Sequence, residues 1–299
     1  MNLEKADNVP LAVVVITLAV LALSLGDALI KFTSGEFVIW QVFVLRSLLA
    51  LPVLFLILFL TSPEAFIVPP ALFWTTVRSL MLVVMWIAYY LALPNLDFSI
   101  AAAAYYTLPI FIILFSAVFL GEKITHVGWG AVSLGFLGVV LILRPDASEF
   151  NLYALLPLFS AILYAMAMIL TRTKCRDVNP IILSIALNVA FVVVGALTAI
   201  FISGLPQGSR DGYLLNYWTS MGRAEWLSMF LLALAILIGS LGAAYAYQKA
   251  SPSVLGSVEF AYVGFAVIWG VAFFAEIPDA ITLLGIGMII AAGMISLRQ

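Results

Sequence analysis

Two stretches decide the fold: SIAAAAYYTLPIFIILFSAVFLGEKIT at residues 99–125 and SVLGSVEFAYVGFAVIWGVAFFAEIPD at residues 253–279. They align when the chain is slid by 154 positions, so that Ser99 meets Ser253, Phe111 meets Phe265, Phe119 meets Phe273 and Glu122 meets Glu276. Chance likeness between apolar segments explains matched phenylalanines. It explains poorly a lone acid at the same end of an apolar run in both copies. One inserted residue after the acid restores the match, and Gly130 then meets Gly285 and Gly138 meets Gly293.

Each stretch is long enough to cross a bilayer, which takes about 20 mainly apolar residues in a helix. Eight further runs have the same character, giving ten in all: 11–32, 37–60, 71–93, 98–119, 127–143, 150–170, 180–203, 226–248, 253–274 and 280–297. The composition agrees, with 65% hydrophobic and 9% charged residues in 299. A soluble domain is about a quarter charged and could not hide that much apolar surface. The runs are continuous rather than alternating, which predicts an all-α membrane bundle and not a barrel. A net charge of −2 excludes a polycation for nucleic acid, and one cysteine (Cys175) with one histidine (His126) offers no donor set for zinc or haem and no intrachain disulfide. No cofactor is expected.

The repeat has a topological consequence. Five spans per copy is an odd number, so the second copy inserts upside down, as transporters with a substrate site near the midplane do. The copies are residues 1–146 and 147–299 of one integrated transport domain. Lys5, Lys123, Arg172, Lys174, Arg176, Lys249 and Arg298 fall on the side of the termini, against Lys31, Arg144, Arg210 and Arg223 on the other. The basic excess places both termini in the cytoplasm, in an inner or plasma membrane. Met1 to Pro10 mixes charges and no small-residue cleavage site follows, so the first run reads as a span rather than a signal peptide. The link from Pro206 to Glu225 carries Tyr213, Tyr217 and Trp218 among charges, a mixture suited to the interface.

At this point the chain resembles a known family. ALPNLDFSIAAAAYYTLPIFIILFSAVFLGEKITHVGWGAVSLGFLGVVLILRP, residues 92–145, looks like the EamA domain of the drug/metabolite transporter superfamily, with Pro109, the Gly121–Glu122 pair and a glycine-rich span after them. The second half is similar in Ala275–Glu276 and LLGIGMIIAAGMI. The resemblance covers nearly the whole chain. It implies ten helices in a 5+5 inverted repeat, central fourth and ninth helices bordering a cavity, and transport of a small metabolite such as an amino acid, a nucleotide precursor or a quaternary amine. Val263 stands where the first copy has Pro109, so the two copies are expected to bend differently.

Ionisable groups inside spans are costly, and each is a functional hypothesis. Glu259 lies about a third of the way into the ninth span, opposite Tyr105 of the first copy. It either binds an ammonium group or takes up a coupling proton; the structural alternative is a glutamate bonded to a neighbouring helix. Arg78 in the third span and Arg46 in the second suit a carboxylate or phosphate clamp, or else neutralise an internal acid; Arg46 also matches an arginine frequent in this family and is kept as a motif residue. Asp27 is a second candidate for proton coupling, although Lys31 at i+4 suggests a local ion pair.

Trp86, Tyr89, Tyr90, Tyr105, Tyr106, Tyr245 and Tyr262 are candidate substrate-binding residues, with Tyr164, Tyr247 and Trp269 in the same constellation; they either line a pocket for a ring or a cation or pack against helices and lipid. Trp40, Trp74, Trp129, Tyr153 and Trp226 suit the interfaces. Glu122 and Glu276 read as architectural, each near the start of the next helix. Ala131/Gly135 and Gly287/Ala291, in spans five and ten, have small-xxx-small spacing for packing within each half or for a homodimer; monomer and dimer both stand.

The expected activity is secondary or facilitative transport by alternating access, with no nucleotide-binding motif to power it. The expected partners are a small-molecule substrate and the lipid bilayer. An amino acid or related amine, exported, fits the charges and aromatics best. The alternative is an uptake carrier for a quaternary amine or nucleotide-like metabolite. An intramembrane enzyme lacks clustered His, Cys or Asp, and a channel lacks charged rings.

Overall fold

The structure is a computed structural model that describes residues 8–33, 37–62, 71–143, 151–206 and 212–296. The termini, Arg144 and Arg210, on which part of the orientation rests, lie outside the described residues. Where hydrocarbon replaces water, backbone polar groups must bond within the chain, and helices do this locally. The described residues contain no strand. Their helices are α1 (Val9–Thr33), α2 (Ile39–Thr61), α3 (Leu72–Ala92), α4 (Phe98–Tyr105), α5 (Leu108–Phe115), α6 (His126–Leu143), α7 (Leu155–Thr173), α8 (Pro180–Ser203), α9 (Gly212–Leu215), α10 (Arg223–Lys249), α11 (Pro252–Glu259), α12 (Ala261–Phe274) and α13 (Ala280–Ser296).

Seven helical segments are long and apolar enough to cross a membrane, with α11 and α12 taken together, and three shorter apolar ones accompany them at Leu108–Leu120, His126–Ile142 and Ala280–Ile295. Large apolar side chains cover the outer face of the bundle; Val53, Phe55, Leu56, Phe59 and Leu60 of α2 are all exposed. A soluble protein does not leave such a face open, and lipid is the solvent that suits it.

Two segments are interrupted at matched positions. The first breaks after Tyr105 and the second after Glu259, 154 residues on. A three-residue turn closes each break, through Ile110 N to Thr107 O at 3.0 Å and Val263 N to Phe260 O at 3.1 Å. The breaks agree in place but not in detail: residues 106–107 leave the helix in the first copy and Phe260 alone in the second, where Val263 stands in place of Pro109. The ends match as well: Gly121 at φ 70° and Ala275 at φ 54° both take the left-handed conformation. Behind them Glu122 N reaches Ser116 O at 3.3 Å and Glu276 N reaches Gly270 O at 3.1 Å. Left-handed backbone suits glycine and costs alanine about 1–2 kcal/mol, so the geometry is held in the second copy against the residue's own preference.

The two halves interleave. α1 packs on α10 and α12, and the corresponding pairs α7 on α3 and α7 on α4–α5 repeat the arrangement with the halves exchanged; α2 packs on α8 and α6 on α13. At the α6–α13 crossing a Cβ on Gly138 would meet Gly285 O at 2.7 Å, and one on Gly285 would meet Gly138 O at 2.7 Å. Gly138 and Gly285 thus let α6 and α13 approach closely. Gly135 faces Phe260 and Ala292, and Gly287 faces open space. Of the aromatics read as interfacial, Trp74, Trp129, Tyr153 and Trp226 are exposed. Trp40 is corrected: it is buried and donates Nε1–H to Leu214 O at 2.8 Å, because the segment before α10 folds over the start of α2.

Candidate functional site

Asp27, Arg46, Arg78 and Glu259 are all buried, none more than 2% exposed. The interior also gathers Tyr89, Tyr90, Tyr105, Tyr106, Tyr164, Tyr247 and Tyr262, every one of them buried. Helix periodicity explains the collection. Trp86, Tyr89 and Tyr90 share the inner face of α3, and the breaks after Tyr105 and Glu259 turn those two residues into the space between the halves.

Asp27 accepts hydrogen bonds from Tyr90 (Oη to Oδ1, 3.3 Å) and from the Tyr262 hydroxyl. The expected local pair with Lys31 is not formed. Lys31 Nζ instead donates to Leu96 O at 2.9 Å and to Glu276 Oε1 at 3.1 Å. Two phenols satisfy the aspartate, and the lysine finds a second acid outside its own helix. Glu276 Oε1 also accepts from Phe98 N at 3.1 Å, while Glu122 Oε1 accepts from Ser251 Oγ at 2.6 Å. Each glutamate thus serves a helix start, but that of α4 or α11 in the opposite half rather than of the next helix along the chain.

Glu259 Oε1 accepts from Tyr164 Oη at 2.8 Å; its Oε2 has no bonded partner at hydrogen-bond distance among the described residues, and the Tyr247 hydroxyl lies beside the carboxylate. Tyrosine rings join the two acids. Tyr105 has its centroid 4.9 Å from Tyr89, 6.2 Å from Tyr164 and 6.3 Å from Tyr262. Tyr106 stacks on Tyr262 at 4.3 Å, and the Tyr89 and Tyr262 hydroxyls lie 3.2 Å apart. Buried hydroxyls between carboxylates can donate to an ionised acid or accept from a protonated one, so the column tolerates either state.

The arginines stand at the two ends of α3. Arg78 Nε donates to Thr171 Oγ1 at 2.6 Å, and its Nη1 is unbonded. Arg46 Nη1 donates to Tyr90 Oη at 3.1 Å, which links it to Asp27 through one hydroxyl. Twelve residues of helix separate Arg78 from Tyr90, about 18 Å at 1.5 Å per residue.

Tyr245 is not brought into this cluster. It lines a groove of about 690 Å³ between α1, α8 and α10, with Leu18, Leu241 and Gly242. Tyr247, two residues on and so on the opposite helix face, takes the inner place; Tyr164 and Tyr247 are the ones that meet Glu259. Trp269 donates Nε1–H to Ser24 Oγ at 3.0 Å. Cys175 lies buried in the connection after α7, where burial pushes its thiol up and Arg78 opposes the shift. The described residues hold no group of three His, Cys, Asp or Glu placed to bind a metal.

Residues 10–144 match the model of the EamA-like transporter family, and curated relatives extend the likeness through the second half. The first half of the chain is thus similar to that family, and the relatives carry the similarity across most of the chain. Over 294 residues it is 24% identical to the pseudopaline exporter CntI of Pseudomonas aeruginosa, covering 98% of both proteins. It is 28% identical to a riboflavin transporter of Rhizobium johnstonii over 72% of this chain and 65% of that one, and 26% identical to an S-adenosylmethionine uptake transporter of Rickettsia conorii over 64% and 60%. A solved crystal structure shares the fold with a TM-score of 0.75 at 17% identity, covering 96% of each chain. The apolar helices are those of an integral, multi-pass membrane protein, and the relatives that it resembles are named as transporters.

Proposed function

We propose that the chain is a secondary transporter for an amphiphilic metabolite carrying both charges, an amino acid or related amine, and that it works in export. Ten spans in a 5+5 inverted repeat rock around the buried tyrosine column by alternating access, with both termini in the cytoplasm of an inner or plasma membrane. The observation that carries this reading is Glu259. A carboxylate buried at a helix break, with Oε2 unbonded beside the Tyr247 hydroxyl, has room for one more donor. An ammonium group or a coupling proton is a donor of that kind, and broken helices at the midplane are where transporters bind their substrates. Tyr105, Tyr164 and Tyr262 supply faces for the organic body and for cation–π attraction. Arg78, with one unbonded Nη, stands toward the other end of α3 as a counter-charge on the exit path.

Export is favoured because the relative matched across the whole chain is an exporter, whereas the riboflavin and S-adenosylmethionine transporters match over part of it. Those two names favour the second reading, uptake of a ring-bearing or nucleotide-like metabolite held by the same aromatics. Proteoliposomes decide. Counterflow of labelled amino acids, nucleosides and amines identifies the class. Glu259→Gln is expected to abolish either binding or the pH dependence of transport; if both are unchanged, the role given to Glu259 is wrong.

A further inference from the structure

Arg46 presents a feature that the Glu259 site does not use. Its guanidinium is buried, yet among the described residues it makes one side-chain hydrogen bond, from Nη1 to the Tyr90 hydroxyl, and Nε and Nη2 have no bonded partner there. Those two atoms form one edge of the guanidinium, the edge that sets two parallel N–H bonds toward a carboxylate. Rings close around the planar group: Phe191 at 4.5 Å, Phe43 at 5.1 Å, and Trp86 and Tyr90 each at 5.7 Å. The hydroxyl of Tyr213, in α9, is also buried without a bonded partner and lies within electrostatic reach of Arg46. The α9 segment is tied down across the start of α2 by Trp40 Nε1 to Leu214 O at 2.8 Å and Gln41 Nε2 to Thr219 O at 2.9 Å.

A buried cation with its fork unfilled is unstable unless something anionic occupies it, because stranding one charge costs about 3–5 kcal/mol. Asp27 does not fill the fork, since Tyr90 stands between the two groups. We infer that Arg46 is the receptor for a carboxylate on the transported molecule, held bidentate on its Nε–Nη2 edge inside the Phe43–Trp86–Tyr90–Phe191 enclosure. The inference rests on the transporter reading and deepens it: Arg46 takes the acid end of the substrate and Glu259 the amine. A carboxylate fits better than a phosphate dianion, because Asp27 already places a negative group one hydroxyl away and no second cation joins Arg46 among these contacts.

The test uses the full chain purified in detergent at constant ionic strength, with thermal unfolding as the readout. The probes are formate, acetate and propionate, set against formamide, acetamide and propionamide of the same size, and against inorganic phosphate. The wild-type protein is expected to show a saturable rise in Tm with the carboxylates and none with the amides, since a ligand that binds only the native state stabilises it by mass action. Arg46→Lys keeps the charge and loses the fork, and should weaken the response about tenfold or more. Arg172→Lys, outside the enclosure, should leave it unchanged. The inference is overturned by an absent response in wild type, by an equal response to the amides, by a response to phosphate alone, or by an unchanged response in Arg46→Lys. The transporter reading is judged separately in vesicles. Carboxylate binding without counterflow keeps the site and sinks transport, and counterflow of substrates indifferent to a carboxylate keeps transport and sinks the site.

Discussion

Glu122 accepts the Ser251 hydroxyl at 2.6 Å and Glu276 accepts the Phe98 amide at 3.1 Å, so each half's glutamate holds the start of the other half's interrupted helix. The two contacts are equivalent under the 154-residue offset except in donor type. Pro252 has no amide hydrogen, and the Ser251 hydroxyl donates in its place. A carboxylate at a helix start complements unpaired N–H groups and the helix dipole. Among the described residues Glu276 alone of the two adds an ion pair, to Lys31 at 3.1 Å, with side chains 15% and 19% exposed.

The two latches therefore differ in strength. Glu276→Gln is expected to destabilise the protein by about 1–2 kcal/mol, more than Glu122→Gln does, because it removes a charge-assisted bond and an ion pair together. In thermal unfolding, a cycle with Lys31→Met should show positive coupling between Lys31 and Glu276. Equal losses from the two glutamate variants with zero coupling would mean that the ion pair adds nothing.

Tyr262 carries two polar contacts at once, to Asp27 and to the Tyr89 hydroxyl. Tyr262→Phe strands a carboxylate oxygen in the core, which costs about 1–3 kcal/mol. Tyr106→Phe keeps the ring stacked on Tyr262 and should cost less. Asp27→Asn in the Tyr262→Phe background should restore part of the loss in Tm, since a neutral amide is cheaper to leave short of a partner. If the double variant is no more stable than Tyr262→Phe, the Asp27 contact is not the source of the cost.

Tyr245 and Tyr247 separate the two faces of α10. Tyr247→Phe removes the hydroxyl beside Glu259 and is expected to alter the pH profile of counterflow, whereas Tyr245→Phe, on the groove side, should match wild type. A changed profile in Tyr245→Phe alone would place the working face of α10 on the wrong side.

That pair also shows what the sequence could reveal. The α10 face of Ser240, Ala243, Ala244 and Tyr247 is small and buried, while Ile238, Leu241 and Tyr245 lie on the groove; bulk outside and small residues inside was a readable signal for preferring Tyr247. The interior acids and the aromatic cluster were legible because intramembrane polarity is costly and stands out in apolar text. Partners across halves were not. Nothing in the spacing of Asp27 and Lys31 says that Tyr262, 235 residues away, would claim the aspartate, or that Glu276 would claim the lysine. Nor did Val263 announce a break; the turn there is set by tertiary contacts and not by a proline.

The crossing of α6 and α13 yields the last prediction. Gly138 and Gly285 face each other so closely that a Cβ on either would lie 2.7 Å from the other's carbonyl oxygen, against backbone that cannot swing aside. Gly138→Ala and Gly285→Ala should therefore push the helices apart, at about 1–3 kcal/mol each. Combined, they should cost less than the sum, since the first displacement already makes room for the second methyl. Gly287→Ala meets open space and should be neutral or stabilising by up to about 1 kcal/mol, from helix propensity alone. Thermal unfolding of the four variants checks this. Should Gly287→Ala prove as damaging as Gly138→Ala, the face of α13 that packs on α6 has been assigned wrongly.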